Sequence, residues 1–352
     1  MAAHPGVAPT TYGGQAVVEG VMVRGPARWA VAVRQPDGSV WVEAHPLPAP
    51  GERASLLRRP LLRGVPTLLD SLAVGARALR VALRHGTTEL QQAASPPPSA
   101  RVGLVQAVGL LTVVFVVVPS TLAVLAGVLV RPVGLGVGLH LLEALLRAAV
   151  LVAYLWSLSL LADIRRVFAY HGAEHRAIAA WEDGRVLSPH VARQYPTAHP
   201  RCGTSFLVLV VLVAAVVFTL AGTALPLPTG GVVAPLVANV GMRVVLLPLV
   251  VGIAYEALRA GALGDGPAGL LAAPGLWLQR ITTRDGDDGQ LEVAIRALQA
   301  VLPADERDVR VDGGSLPSPL TGPAGTVGPG ARSPDARPPG ARPPGDPEPA
   351  DG

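Results

Sequence analysis

The sequence contains no lysine, and all 29 of its basic residues are arginine. It has one cysteine, Cys202, which excludes an intrachain disulfide. Only 15% of the 352 residues are charged and 4% are aromatic, whereas a soluble globular domain carries roughly 25% charged residues. The length alone would allow two soluble domains, but so little charge argues for lipid as the solvent. The formal net charge is only +4 and no dense basic run with interleaved aromatics occurs, so nucleic-acid binding is not expected. Arginine without lysine, alongside abundant Ala, Gly, Pro and Val, is the imprint of GC-rich coding. Residues 1–12 lack the basic start and apolar core of a secretory signal and read as a flexible N-terminus.

What the chain does have is long apolar runs. Half of its residues are hydrophobic and the mean hydropathy is +0.43. Four stretches, roughly 102–130, 135–162, 205–225 and 232–254, each approach or exceed the ~20 residues that cross a bilayer. Pro119 and Pro248 can kink the first and fourth, since proline is tolerated in membrane helices whose neighbours satisfy the freed carbonyl. Arginine accumulates before the first stretch, in the 163–204 loop and after the fourth. The connections near 131–134 and 222–231 carry one charge and none. This alternation predicts a multi-pass cell-membrane protein with both termini and the 163–204 loop in the cytoplasm.

The flanking segments read differently. Residues 13–90 predict a small cytoplasmic β-rich unit followed by an amphipathic helix. Gln15 to Val23 is one β-prone run, and Pro36-Asp37-Gly38 is a turn signature between Trp29–Arg34 and Val40–His45. From 54 to 84, Leu57, Leu61, Val65, Leu68, Leu72 and Leu79 recur at helical spacing among Arg58, Arg59, Arg63, Arg77, Arg80 and Arg84. Such a helix either lies on a membrane surface or packs on the β unit. Residues 91–101, around Ser95-Pro96-Pro97-Pro98-Ser99, form a linker, and 102–275 the four-helix transmembrane region. In 276–311, Asp287 or Asp288 can cap a cytoplasmic helix through Leu291, Ile295 and Leu298. Residues 312–352 are too rich in Gly and Pro to bury a core and read as a disordered tail. The fold class expected is therefore a mainly α membrane protein with about four transmembrane helices.

One constellation can carry chemistry. Just after the second stretch the chain reads Tyr170-His171-Gly172-Ala173-Glu174-His175, an H-x-x-E-H arrangement. With the helix of the second span continuing to this point, His171 and His175 share a face and can direct ring nitrogens to one ion about 2 Å away. Glu174 beside them matches the general base of the inverted zincin pattern. Further ligands are offered by His199-Pro200-Arg201-Cys202, just before the third span. His199 and Cys202 both suit a borderline-soft divalent ion such as zinc. Four protein ligands would close a structural site, and three would leave room for water. The alternative is a polar helix end with an ordinary buried thiol.

Other ionisable residues are weaker candidates. His140, Glu143 and Arg147 lie within the second span, where Glu143 and Arg147 can neutralise each other. Asn239 and Arg243 lie in the fourth. Glu256, at the end of that span, either completes the metal site or is a solvated helix end. Glu19, an acid among strand residues, either pairs with Arg24 or reaches the site.

Several of these segments resemble one family. Gly13-Gly14-Gln15-Ala16-Val17-Val18-Glu19-Gly20-Val21-Met22-Val23-Arg24-Gly25-Pro26 resembles the opening signature of the DUF1385, or YqhQ-like, family. The resemblance continues through Tyr170 to His175, His199 to Phe206, Ala254-Tyr255-Glu256, Pro274 to Arg284 and Gln290 to Ile295, covering about residues 11–302. It implies a membrane protein of bacteria or plastids, from a group sometimes described as predicted metal-dependent enzymes, with no substrate assigned. Three functions follow. The first is a metal-dependent membrane enzyme of the hydrolase type, acting on a lipid head group or a peptide at the surface. The second is a non-enzymatic membrane scaffold or assembly factor, with a membrane-protein partner or a second copy of itself. The third is a transporter, ranked last because four spans are few and no inverted repeat is evident.

Overall fold

A computed structural model describes residues 12–47, 59–86, 136–225, 233–263, 270 and 272–303, together with isolated positions between 109 and 125. The first predicted span, the 91–101 linker and the 312–352 tail lie outside the described residues, apart from those isolated positions.

Four strands form an antiparallel meander in the order β1 (Gly13–Val17), β2 (Gly20–Arg24), β3 (Arg28–Arg34) and β4 (Val40–Pro46). The predicted turn at Pro36-Asp37-Gly38 joins β3 to β4. Gly38 takes φ 85°, and the Asp37 carboxylate accepts from the Ser39 N–H at 2.9 Å. The predicted single run from Gln15 to Val23 is instead two strands. Val17 pairs with Gly20 across a two-residue turn, in which Glu19 adopts φ 54°. Glu19 does not pair with Arg24. Its carboxylate takes both Arg166 and the Tyr170 hydroxyl, and Arg24 pairs with Asp70 at 2.6 Å.

β3 is buried on both faces, and its residues divide by size. Trp29, Val31 and Val33, with Val17 and Met22, meet Val74, Ala78, Val81 and Ala82 of α1 (Gly64–His85). Of the two readings of the arginine-bearing helix, packing against the sheet is therefore observed. Ala30 and Ala32 face the opposite way, and their small side chains let two helices approach: α3 (Ala162–Glu182) through Ala173 and Ala177, and α8 (Asp288–Val301) through Ala294 and Ala297. α8 starts at the predicted Asp287 cap, which forms a reciprocal capping box with Gln290.

Among the described residues, three helices are long and apolar enough to cross a membrane: α2 (Gly136–Ser159), α5 (Gly203–Ala224) and α6 (Val233–Leu263), the last with Pro248 inside it. Their outward faces carry Leu145, Leu220, Val237 and Val245, each more than 60% exposed. That face suits lipid and associates the chain with a membrane. Glu143, Arg147 and Arg243 are buried among these helices. Arg147 donates to Glu143 at 2.7 Å, Arg243 also donates to Glu143, and both guanidiniums lie over the Phe218 ring. In such surroundings a charge persists only when paired.

α2 does not run on into α3, contrary to the continuous helix expected. It stops at Ser159, and Leu161 is extended before α3 begins at Ala162. Two tight hydrogen bonds, Leu160 N–H to Ser157 and Leu161 N–H to Leu158, close the end of α2. α4 (Pro189–Ala192) and α7 (Ala273–Thr282) complete the described elements. Leu278 of α7 packs with Leu151 and Leu155 of α2 and Val211 of α5.

Candidate metal centre

α3 presents His171, Glu174 and His175 on one side, one helical turn apart. The two imidazole centroids are 4.4 Å apart. Each ring is oriented by a main-chain carbonyl. His171 Nδ1 lies 2.8 Å from the Thr282 oxygen, and His175 Nδ1 lies 2.6 Å from the Thr197 oxygen. A carbonyl only accepts, so each Nδ1 carries the proton and each Nε2 keeps its lone pair. This is the arrangement in which metal-binding histidines are held.

Both lone pairs converge on one sulfur. His171 Nε2 lies 3.1 Å from Cys202 Sγ, and His175 shares a hydrogen bond with the same thiol. The ligand atoms of His171, His175 and Cys202 lie within 4.8 Å of one another. Cys202 is the N-cap of α5, where its sulfur accepts from the Thr204 N–H at 3.5 Å and contacts Thr204 Oγ1 at 3.2 Å. Burial alone would raise the thiol pKa. The His175 hydrogen bond and charge, with Thr204, outweigh it and hold the thiol below its ordinary value. Burial also depresses the His175 imidazole, against the pull of Cys202, and so favours the neutral form that ligates metal.

Glycines make the convergence possible. A Cβ on Gly172 would meet the Arg284 carbonyl oxygen at 2.0 Å, so only glycine lets α3 lie against the strand-like segment after α7. There the Arg284 N–H donates to the Phe168 carbonyl at 2.9 Å, which fixes the neighbouring Thr282 carbonyl over His171. A Cβ on Gly14 would stand 2.9 Å from Glu174 Oε1, so the bare β1 backbone closes the site from the sheet side.

Glu174 is the anomaly of the site. It is only 3% exposed, its carboxylate receives the Gly14 N–H, and its Oε2 has no hydrogen-bond partner. Burial raises its pKa to about 8, with Cys202 adding to the rise while His171 and Gly14 oppose it. Its oxygens are not part of the close group of three.

His199 stands beside that group and not within it. Its ring centroid is 5.6 Å from that of His175, while its Nε2 faces Glu182 Oε2 at 3.5 Å and its Nδ1 accepts the Arg201 N–H at 3.4 Å. Burial lowers its pKa to about 4. Its main chain is locked by Gln279, which accepts from the His199 N–H at 2.8 Å and donates to its carbonyl at 2.9 Å. Glu256 is held elsewhere, in a bidentate pair with Arg63 at 2.8 and 2.5 Å. The Thr197 and Thr282 carbonyls, Gln279 and the two glycines are parts of the site that the H-x-x-E-H spacing does not signal.

The donor set fits a zinc-like ion. Two imidazole nitrogens and a thiolate-prone sulfur are borderline-soft ligands, and the Glu174 carboxyl is buried beside them with an Oε2 that has no hydrogen-bond partner among the described residues.

Residues 59–304 match the family model described as "Protein of unknown function (DUF1385)". The chain is similar to the "Uncharacterized protein YqhQ" of Bacillus subtilis (strain 168). The two are 34% identical over 310 residues, which is 84% of this chain and 93% of that protein. No solved structure matches.

Proposed function

This chain belongs to the DUF1385 family, and from that premise we propose that it is a membrane-bound, metal-dependent enzyme, a hydrolase, with zinc held by His171, His175 and Cys202. The observation that carries this reading is the convergence of both Nε2 lone pairs on the Cys202 sulfur beside a buried carboxylate oxygen that lacks a partner. A zinc ion bound there would act as a Lewis acid and lower the pKa of a coordinated water to about 7. Glu174 Oε2, ionised by that cation, would be the atom that takes the water proton and returns it to the leaving group. Thr197 and Thr282 hold the imidazoles in register, and the Gly14 N–H fixes the other carboxylate oxygen. His199 supports the site from outside, or joins as a fourth ligand by turning its ring from Glu182.

The test is elemental analysis of full-length protein purified without chelating resin. Wild type is expected to carry close to one metal per chain, and the His171→Ala/His175→Ala variant none. Equal content in the two overturns the proposal. Glu174→Gln should keep the metal.

A second reading is favoured by enclosure. Glu174, His175 and Cys202 are 3%, 2% and 7% exposed, as in a structural site that fixes a scaffold or assembly factor. In that case Glu174→Gln leaves complementation of a deletion strain intact, whereas in an enzyme it abolishes it.

The same proposal includes topology. Residues 102–130 supply a fourth span, the 163–204 loop and both termini face the cytoplasm, and 312–352 is a disordered tail. The arginine distribution supports this orientation. Because the single native cysteine is buried, cysteines introduced at 190 and 228 report their side by labelling in intact cells. Labelling at 190 and protection at 228 would reverse the topology.

A further inference from the structure

A cleft of about 840 Å³ lies between α7 and the Thr197-Ala198 segment, immediately behind the carbonyls that orient the two histidines. Its walls include Thr197, Trp277, Gln279, Arg280, Arg284 and Asp285. The depth of α7 relative to the spans decides what can enter. Leu278 packs on Leu155 and Leu151 of α2, which ends at Ser159. At 1.5 Å rise per residue those contacts lie about 6 and 12 Å inside the end of the helix. An interfacial helix lies about 5–10 Å into the boundary between headgroups and acyl chains, so α7 occupies that layer.

The face that α7 turns away from the bundle matches that depth. Gly275, Leu278, Gln279 and Thr282 are buried, whereas Trp277 and Arg280 are exposed, as is Arg284 just beyond the end of the helix. Trp277 is 52% exposed, and Trp156, the chain neighbour of Leu155 in the cluster that holds Leu278, is 57% exposed. Exposed tryptophan is enriched at membrane interfaces. Among the described residues, neither Arg280 nor Arg284 has an ion-pair partner. The acid in the cleft wall, Asp285, is paired with Arg176 at 2.6 Å. Two unneutralised guanidiniums over a half-apolar cleft at headgroup depth are complementary to a phosphodiester that carries an apolar tail.

We propose that this cleft binds the phosphate headgroup of an anionic phospholipid, with Arg280 and Arg284 on the phosphate and Trp277 against the glycerol region. It rests on the membrane placement in the proposed function and gives that enzyme its substrate class, but binding itself does not require the metal.

The experiment uses full-length protein reconstituted in phosphatidylglycerol/phosphatidylcholine nanodiscs, then extracted in mild detergent, with retained lipid counted by native mass spectrometry. Wild type should retain phosphatidylglycerol preferentially, and Arg280→Gln/Arg284→Gln should lower that preference by about fivefold for each arginine lost. Phosphatidylcholine retention should stay level. Millimolar inorganic phosphate should not displace the retained lipid; if it does, the cleft is a site for free phosphate and the lipid proposal is overturned. Undiminished preference in the double arginine variant also overturns it. Metal content is measured on that variant and lipid preference on His171→Ala/His175→Ala. Normal metal with lost preference in the first, and retained preference in the second, keep a failure of this proposal distinct from a failure of the metal site.

Discussion

Glutamine at position 174 offers a direct measure of how far the site depends on a counter-charge. In the metal-free protein Glu174 is buried, and its pKa is raised from 4.5 to about 8. The unfolded chain releases this proton near 4.5, and the folded chain keeps it until about 8. Between those values the folded state binds more protons, so stability falls as pH rises through the window. The contribution is full below pH 4.5 and gone above pH 8. At about 1.4 kcal/mol per pKa unit, the shift corresponds to about 5 kcal/mol. Glutamine cannot ionise and should abolish this slope. The assay is thermal unfolding of wild type and Glu174→Gln, stripped by chelator, from pH 5 to pH 9. The two should melt together at the acid end. At pH 9 the variant should melt higher by on the order of 10 °C, taking about 2–4 °C per kcal/mol. Other carboxylates titrate in both proteins and cancel in the difference. His171, His175 and Cys202, which face the carboxylate, are likewise present in both. Added zinc should shrink the difference by giving the carboxylate a cation. A wild-type-minus-variant difference that does not change between pH 5 and pH 9 would refute this account of Glu174.

Three further substitutions test the packing. Gly172→Ala forces a Cβ against the Arg284 carbonyl and should cost about 1–3 kcal/mol by overpacking, together with metal content, read by melting and elemental analysis. Arg243→Ala removes one of the buried guanidiniums that pair with Glu143 and should destabilise the detergent-solubilised protein by about 3–5 kcal/mol; an unchanged melting temperature would contradict the pairing described. Glu256→Gln removes the charge from the half-buried pair with Arg63 and keeps an oxygen for the Leu61 N–H. It should cost at most about 1 kcal/mol and leave metal content untouched, whereas metal loss would return Glu256 to the site.

Much of the site was legible because its signals are local. His171 and His175 one turn apart need only a helix, and Cys202 stands out as the one thiol. The Asp37-Gly38 turn and the Asp287 cap are equally short-range. What escaped was set by tertiary closure. Val18-Glu19 carries no turn-forming glycine, so a continuous apolar run concealed a hairpin whose turn holds Glu19 at positive φ. The break at Leu160-Leu161 is invisible because both residues are good helix formers. His199 has the right residue type and neighbourhood, but its ring faces Glu182 and its main chain is held by Gln279, from separate parts of the chain. The pairing of Arg63 with Glu256 spans 193 positions, beyond the reach of any pattern.

The orienting partners of the two imidazoles are peptide oxygens, at positions 197 and 282. Replacing either threonine side chain therefore leaves the ring anchored, whereas inserting or deleting one residue nearby swings the oxygen off the ring. Drift in this part of the chain is tolerant of spelling and intolerant of length.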